Sequence, residues 1–187
     1  MQERLQAKRI KEDPMSIIPT IKTKRLEIKP YDDSDQPAMI ELLTHEDIKE
    51  TFMIPDFKTE DDAIAMFRKL KGYSYSKDHF ERGIYLNQEL IGFVNDVGIS
   101  DGSIELGYVI HPMYKNQGYA SEMLKSVIEY LFQNGFRRIE AGAFEKNAAS
   151  FKVMENCGMK RMFKEEDITY RGITHHCLYY GIDREPN

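Results

Sequence analysis

The chain has 187 residues, of which 30% are charged and 41% hydrophobic, and its formal net charge is −5. This composition suits one globular domain with a sizeable core and excludes a largely disordered chain. The acidic balance argues against nucleic acid as the main partner, because phosphate binding favours a basic face. The charged N-terminus does not resemble a signal peptide, and no apolar run approaches the ~18 residues of a membrane span. We therefore expect a cytoplasmic protein that binds neither nucleic acid nor membrane.

Cys157 and Cys177 are the two cysteines, and their spacing fits neither a CxxC motif nor a structural zinc site. We expect no metal site. Two reduced thiols are favoured over a disulfide, which stays open as the alternative.

Residues 1–19 are polar and are punctuated by Pro14 and Pro19, whereas residues 20–187 have the pattern of a folded domain. We predict a polar N-terminal arm joined to that domain. The arm is either a loosely held tail or a segment that packs on the domain or on a second subunit. A monomer and a homodimer are both compatible with this arrangement.

Hydrophobic periodicity divides the domain into strands and helices. The predicted strands are 25–29, 83–87, 90–99, 103–111, 138–144, 159–170 and 175–182, with turns at Gln88-Glu89, Asp101-Gly102 and Arg171-Gly172. The predicted helical segments are 35–43, 46–52, 59–71, 118–134 and 147–157. Asp35 and Thr59 are the expected N-terminal caps of the first and third segments, and Asn147 opens the fifth.

The stretch Glu105–Ser121, ELGYVIHPMYKNQGYAS, runs from a strand through a loop into a helix. Gly118 lets backbone approach a ligand closely. The first helical turn exposes unpaired N–H groups and the positive end of the helix dipole, and Lys115 adds a full charge. These features favour a pyrophosphate site, and the alternative is an ordinary loop-to-helix turn. Neither the GxGxxG nor the GxxxxGK[ST] pattern is present.

Lys115–Ala120, KNQGYA, resembles the acetyl-CoA motif [QR]-x-x-G-x-[GA] of the GNAT superfamily of N-acetyltransferases. Lys115 stands where the family has Gln or Arg, so the charge is kept but a planar donor fork is lost. The block 147–159 resembles N-x-x-S-x-x-V-x-E-x-x-G-F of the branch that contains the ribosomal-protein N-terminal acetyltransferases, with Met159 in place of Phe. Further agreements are Arg25-Leu26, Ile91-Gly92, Glu105–Tyr108 and His111-Pro112, and the resemblance spans about 22–183.

The resemblance implies an α/β (α+β) GNAT fold, a mixed, mostly antiparallel sheet of about six or seven strands with splayed central strands and flanking helices. It implies acetyl-CoA as acyl donor, with the pantetheine arm in the gap between the splayed strands. The implied contacts with acetyl-CoA are Val109, Ile110, His111, Lys115, Asn116, Gln117, Gly118, Tyr119, Ala120, Ser121, Asn147 and Lys152. Family acceptor pockets correspond here to about 32–75 and 168–176.

Acetyl transfer to an amine sets chemical demands on the site. A lysine-like ammonium has a pKa of about 10.4, so under ~0.1% of it is neutral at pH 7 and a base assists. The resemblance implies Glu105 as that base, acting through water, and the alternative is a structural carboxylate. It implies Ser150 as the group that stabilises the departing thiolate, against helix packing or a local backbone bond. Many GNAT enzymes use a tyrosine four residues later, which here is Met154.

The sequence is compatible with three functions. The leading hypothesis is an acetyl-CoA-dependent N-acetyltransferase acting on a primary amine, either a protein N-terminus or a small molecule. The second is a GNAT-fold module that binds acyl-CoA and regulates without turnover. The third is an interaction domain that has lost the cofactor, and the largely intact loop Lys115–Ala120 argues against it.

Overall fold

The computed structural model describes residues 18–185 and builds them around one sheet. Its strands are β1 (Ile21–Lys22), β2 (Leu26–Lys29), β3 (Glu81–Leu86), β4 (Glu89–Ser100), β5 (Ser103–Ile110), β6 (Arg138–Phe144), β7 (Lys160–Tyr170) and β8 (Ile173–Asp183). Its helices are α1 (Gln36–Thr44), α2 (Glu46–Lys49), α3 (Glu60–Ser74), α4 (Tyr119–Gln133) and α5 (Ala148–Asn156). The predicted arm lies outside the described residues, apart from its last two positions.

The strand order is β1-β2-β3-β4-β5-β6-β8-β7, and each neighbouring pair is antiparallel except β5 with β6. This confirms the predicted mixed, mostly antiparallel sheet. The described sheet has eight strands because β1 adds to the seven that periodicity predicts. With two residues, β1 is too short to show an alternating pattern.

The parallel strands β5 and β6 separate partway along their length. They pair only from Ser103 opposite Arg138 to Leu106 opposite Ala141, although β5 continues to Ile110 and β6 to Phe144. Beyond that point β5 stays with β4 and β6 stays with β8, so a gap opens at their carboxyl ends. The predicted splay of the central strands is confirmed.

Helices α4 and α5 pack on one face of the sheet. The side of α4 that sequence periodicity marks as apolar is buried there, at Met123, Leu124, Val127, Ile128 and Leu131. Full burial of one such side chain stabilises the fold by about 1.5–3 kcal/mol. The helix begins after Gly118 and is followed by Gly135, both with left-handed φ, of 81° and 96°. Its predicted extent, 118–134, therefore holds to within one residue at each end.

Helices α1, α2 and α3 cover part of the other face, over a second core that includes Tyr31, Met39, Phe67 and Phe93. Thr59 caps the start of α3, as predicted, and the structure adds that Asp62 completes a reciprocal capping box with it. Helix α2 ends at Lys49 rather than at residue 52. The chain turns there, and the Phe52 ring packs edge-on against Phe93.

Glu81, on β3, is 3% exposed and accepts a hydrogen bond from the Tyr31 hydroxyl. Burial raises the pKa of Glu81 to about 8, from an ordinary value of 4.5. Between these values the folded protein binds one proton more than the unfolded chain. The free energy of unfolding is therefore expected to fall by about 1.4 kcal/mol per pH unit as pH rises from 4.5 towards 8, and to level off above it.

Glu81→Gln keeps the neutral form of this side chain and is expected to remove that slope. Urea denaturation at several pH values from 5 to 9 measures it, with the exposed Glu129→Gln as the matched control. An unchanged slope in Glu81→Gln would show that Glu81 ionises normally.

Candidate active site

A cleft of about 560 Å³ passes through the gap between β5 and β6. This volume is within the range of small-molecule sites. On one face of the sheet the cleft is bounded by the loop before α4, by the first turn of α4 and by α5. On the other face it is bounded by Ile48, Thr51 and Phe52. Two molecules that enter from opposite faces could therefore meet inside the gap.

The loop before α4 contains two residues in the left-handed region, Asn116 with φ 61° and Gly118 with φ 81°. Gly118 is the N-cap of α4 and supplies no side-chain cap. The N–H groups of the first turn therefore stay available to a ligand, and the helix dipole favours an anion there. Lys115 and Lys152 line the same cleft and add two positive charges. This set of donors fits the pyrophosphate and phosphate groups of CoA.

Arg25, just before β2, holds this loop from outside. Its Nε lies 2.7 Å from Glu122 Oε2, its Nη1 donates to Gln117 O at 2.9 Å, and its guanidinium lies 4.3 Å from the centre of the Tyr119 ring. Thr23 also donates to Glu122. Burial opposes ionisation of Glu122, but the bonds from Thr23 and Arg25 outweigh it and lower the pKa of Glu122. The sequence offers only the family dipeptide Arg25-Leu26 as a sign of this contact.

Most of the residues predicted to contact acetyl-CoA line the cleft. They are Val109, Ile110, Lys115, Asn116, Gly118, Tyr119, Ala120, Ser121, Asn147 and Lys152. Gln117 is not among the lining residues, and its side chain and carbonyl bond to Met113 and Arg25. His111 is buried behind the loop, where Nδ1 accepts from Met113 N and Nε2 lies 3.1 Å from Glu41. The backbone N–H of His111 donates to Ile91 O.

Ser150 lines the cleft on the first turn of α5. The helix opens at Asn147, as predicted, and the Asn147 side chain caps it by accepting from Ser150 N at 3.2 Å. The Ser150 hydroxyl lies 2.9 Å from the hydroxyl of Tyr108, which reaches it from β5. Burial raises the pKa of Tyr108 above its ordinary value. Tyr108 thus joins the predicted serine through a contact that sequence spacing does not reveal.

Glu105 shares a face of β5 with Gly107 but is not among the residues that line the cleft. Its carboxylate accepts from Lys164 Nζ at 2.9 Å, and Lys164 lies 3.6 Å from Glu140 on the neighbouring strand. Burial disfavours the charged form of Lys164, but the bond and charge of Glu105 outweigh it and raise the lysine pKa. The structure therefore places Glu105 in a surface ion-pair network beside the gap.

The two segments expected to form an acceptor pocket, 32–75 and 168–176, contact each other. Tyr170 Oη donates to Ile54 O at 2.9 Å, and Arg171 pairs with Glu46 and Asp56 at 2.9 and 3.1 Å. The turn between β7 and β8 is thereby fastened to the segment that carries Phe52.

Two features are absent from residues 18–185. No group of three His, Cys, Asp or Glu side chains is arranged to hold a metal ion. No helix in this range combines the length and apolarity needed to cross a membrane.

Residues 25–160 match the family described as Acetyltransferase (GNAT) domain. The match covers most of the chain, so the protein belongs to the GNAT acetyltransferase family, whose members transfer an acetyl group from acetyl-CoA. A curated relative, an uncharacterized N-acetyltransferase YnaD of Bacillus subtilis, is 34% identical over 147 residues, which cover 75% of this chain and 82% of the relative.

Two solved structures agree with this assignment. A GNAT-family acetyltransferase from Bacillus anthracis is 28% identical with a TM-score of 0.75, over 88% of this chain and 98% of that one. RimL, a ribosomal L7/L12 alpha-N-protein acetyltransferase solved in complex with coenzyme A, has a TM-score of 0.74 over 88% of this chain and 98% of its own. At 17% identity, this second likeness concerns the fold alone.

Proposed function

We propose that the protein transfers an acetyl group from acetyl-CoA to a primary amine, either a protein N-terminus or a small-molecule amine. The observation that carries the proposal is the cleft through the sheet. It joins the uncapped N-terminus of α4 on one face to the Phe52 wall on the other. A cofactor held by the first face and an amine entering from the second would meet between β5 and β6.

In this proposal the N–H groups of the α4 first turn, with Lys115 and Lys152, bind the phosphates of acetyl-CoA. The amine nitrogen attacks the thioester carbon, and backbone N–H groups of Val109 or Ile110 stabilise the oxygen that becomes negative. The carbon–sulfur bond then breaks with its electron pair on sulfur, and the Ser150 hydroxyl hydrogen-bonds the thiolate. Support for this role of Ser150 comes from its place on the cleft wall.

We propose Glu105 as the base that accepts the amine proton through water. Lys164 Nζ lies 2.9 Å from this carboxylate and competes with water for its oxygens. Glu105→Gln is therefore expected to lower kcat by about 10²-fold, the lower end of the range for general bases, with little change in acetyl-CoA affinity. Glu140→Gln, in the same ion-pair network, is the matched control. Equal losses in the two variants would assign the effect to the network and remove Glu105 as the base.

The reaction itself is tested by incubating the full chain with acetyl-CoA and a panel of peptides with free N-termini, polyamines and small primary amines. Release of free CoA thiol and mass spectrometry of the acceptor report turnover. The expected result is acetylation of one class well above the rate of thioester hydrolysis without amine.

The Glu105–Lys164 pair favours one alternative function, a module that binds acyl-CoA without turnover, because it occupies the proposed base. A thermal shift with acetyl-CoA but no acetylated product across the panel would support that module. The absence of any shift at millimolar acetyl-CoA would contradict both functions.

A further inference from the structure

Tyr108 and Ser150 bring two hydroxyl groups together at the wall of the cleft. Tyr108 comes from β5 and Ser150 from α5, and their oxygens are 2.9 Å apart. Both residues line the cleft. Met154, one turn further along α5, is fully buried and has no proton to donate. The tyrosine hydroxyl near this serine is therefore supplied by a strand instead of the helix.

The direction of this hydrogen bond determines where the serine hydrogen points. Within residues 18–185, Tyr108 is the hydrogen-bond partner found for Ser150 Oγ. A tyrosine that donates to Oγ leaves the serine hydrogen free to turn into the cleft. If the serine donates to Tyr108 instead, its hydrogen cannot point into the cleft. The tyrosine hydroxyl could then donate only to the backbone carbonyl Ser150 O, at a longer distance of 3.4 Å. The shorter contact and the open cleft favour tyrosine as the donor.

We propose that Tyr108 is a positioning residue for cleavage of the thioester: its hydroxyl donates to Ser150 Oγ and so directs the serine hydrogen at the sulfur of acetyl-CoA. This inference rests on the proposed function, in which Ser150 hydrogen-bonds the departing thiolate. Burial keeps the phenol protonated, because it raises the pKa of Tyr108. Tyr108 is therefore a donor over the whole range of pH in which an amine acetyltransferase would work.

The step balances without proton transfer from Tyr108. The carbon–nitrogen bond forms, the carbon–sulfur bond breaks with its electron pair on sulfur, and the amine proton leaves to the base or to water. The thiolate accepts a hydrogen bond from Ser150, which accepts one from Tyr108, and solvent protonates the thiolate to the thiol after release. Each hydroxyl in such a chain polarises the next and strengthens the bond to sulfur.

The test is a double-mutant cycle between Tyr108→Phe and Ser150→Ala, read as the single-turnover rate of acetyl transfer. Tyr108→Phe is expected to lower this rate about tenfold, the size of one neutral hydrogen bond, and to leave the calorimetric affinity for CoA within about twofold. The double variant is expected to match Ser150→Ala, because Tyr108 acts only through Ser150. Tyr180→Phe is the control, since it removes a hydroxyl bonded to Glu155 elsewhere on α5.

Several outcomes would overturn the inference. Losses that simply add in the double variant would mean that Tyr108 acts independently of Ser150. Full activity of Tyr108→Phe, or a loss equal to that of Tyr180→Phe, would leave Tyr108 with a packing role only. Full activity of Ser150→Ala would overturn the proposed role of Ser150, and this inference with it, while acetyl transfer itself would stand.

A second variant guards against misfolding of Tyr108→Phe. Fluorinated tyrosine at position 108 keeps the ring and the hydroxyl but lowers the phenol pKa. The turnover rate is then expected to fall at alkaline pH, where the phenolate can no longer donate, with a midpoint below that of the unmodified protein. An identical pH profile in the two proteins would contradict the donor role.

Discussion

Gly118→Trp is expected to abolish detectable binding of acetyl-CoA, a loss of at least ~100-fold in affinity, while the domain stays folded. A Cβ at this position would meet only Arg25 Nη2, at 3.4 Å, so the indole does not strike the core, and Gly118 itself lines the cleft. There it would occupy the space in front of the α4 N–H groups that we assign to the pyrophosphate. Isothermal titration calorimetry with acetyl-CoA measures the loss.

Gly135→Trp supplies the matched control. Gly135 follows the other end of the same helix and has a similar left-handed φ of 96°, and a Cβ at this position would have no atom within 4 Å. Both variants therefore carry a similar backbone strain of about 1–2 kcal/mol, and only one of them fills the cleft. Equal affinities in the two variants would contradict the placement of the pyrophosphate at Gly118.

Much of the secondary structure could be predicted from residues that are close together in the chain. The extent of α4, the Thr59 cap and the start of α5 after Asn147 depend on residues within one or two turns of each other, and all three agree with the structure. Asp35 precedes α1 as predicted, but its side chain makes no cap hydrogen bond there. The turn between β3 and β4 lies one residue earlier than Gln88-Glu89. Asn87 and Gln88 take the left-handed φ values, because Leu86 pairs with Glu89. A single-residue shift of this kind depends on strand register, which local composition does not define.

The contacts that organise the cleft join residues far apart in the chain. Tyr108 meets Ser150 across 42 positions, and Arg25 meets Glu122 across 97. Lys164 reaches Glu105 from a stretch of β7 in which the register shifts between Arg161 and Glu165. Neither hydrophobic periodicity nor motif spacing in the sequence predicts contacts between residues this far apart. The resemblance to a family could therefore predict most of the residues that line the cleft, but not the contacts that hold them in place or the ion pair between Glu105 and Lys164.

Gly92→Ala is expected to destabilise the domain by more than ~2 kcal/mol and to weaken acetyl-CoA binding at the same time. Gly92 lies on β4 opposite Ile110, and a Cβ there would stand 2.1 Å from the carbonyl oxygen of Val109. That neighbour is backbone, so β5 itself would have to move, and overpacking of this kind costs about 1–3 kcal/mol before any ladder hydrogen bond is lost. Val109 and Ile110 line the cleft, which ties the strain to the site.

Gly98→Ala, on the same strand, separates this effect from the general cost of replacing glycine. No atom lies within 4 Å of a Cβ at Gly98, so its stability is expected to change by less than ~1 kcal/mol. Urea denaturation and calorimetry with acetyl-CoA on both variants give the two readouts. Equal free energies of unfolding in Gly92→Ala and Gly98→Ala would show that β5 can move away from a Cβ at position 92 at little cost. The β5 edge of the gap lies against Gly92. If only Gly92→Ala loses both stability and affinity for acetyl-CoA, the close contact between the β4 and β5 backbones sets the width of the cleft.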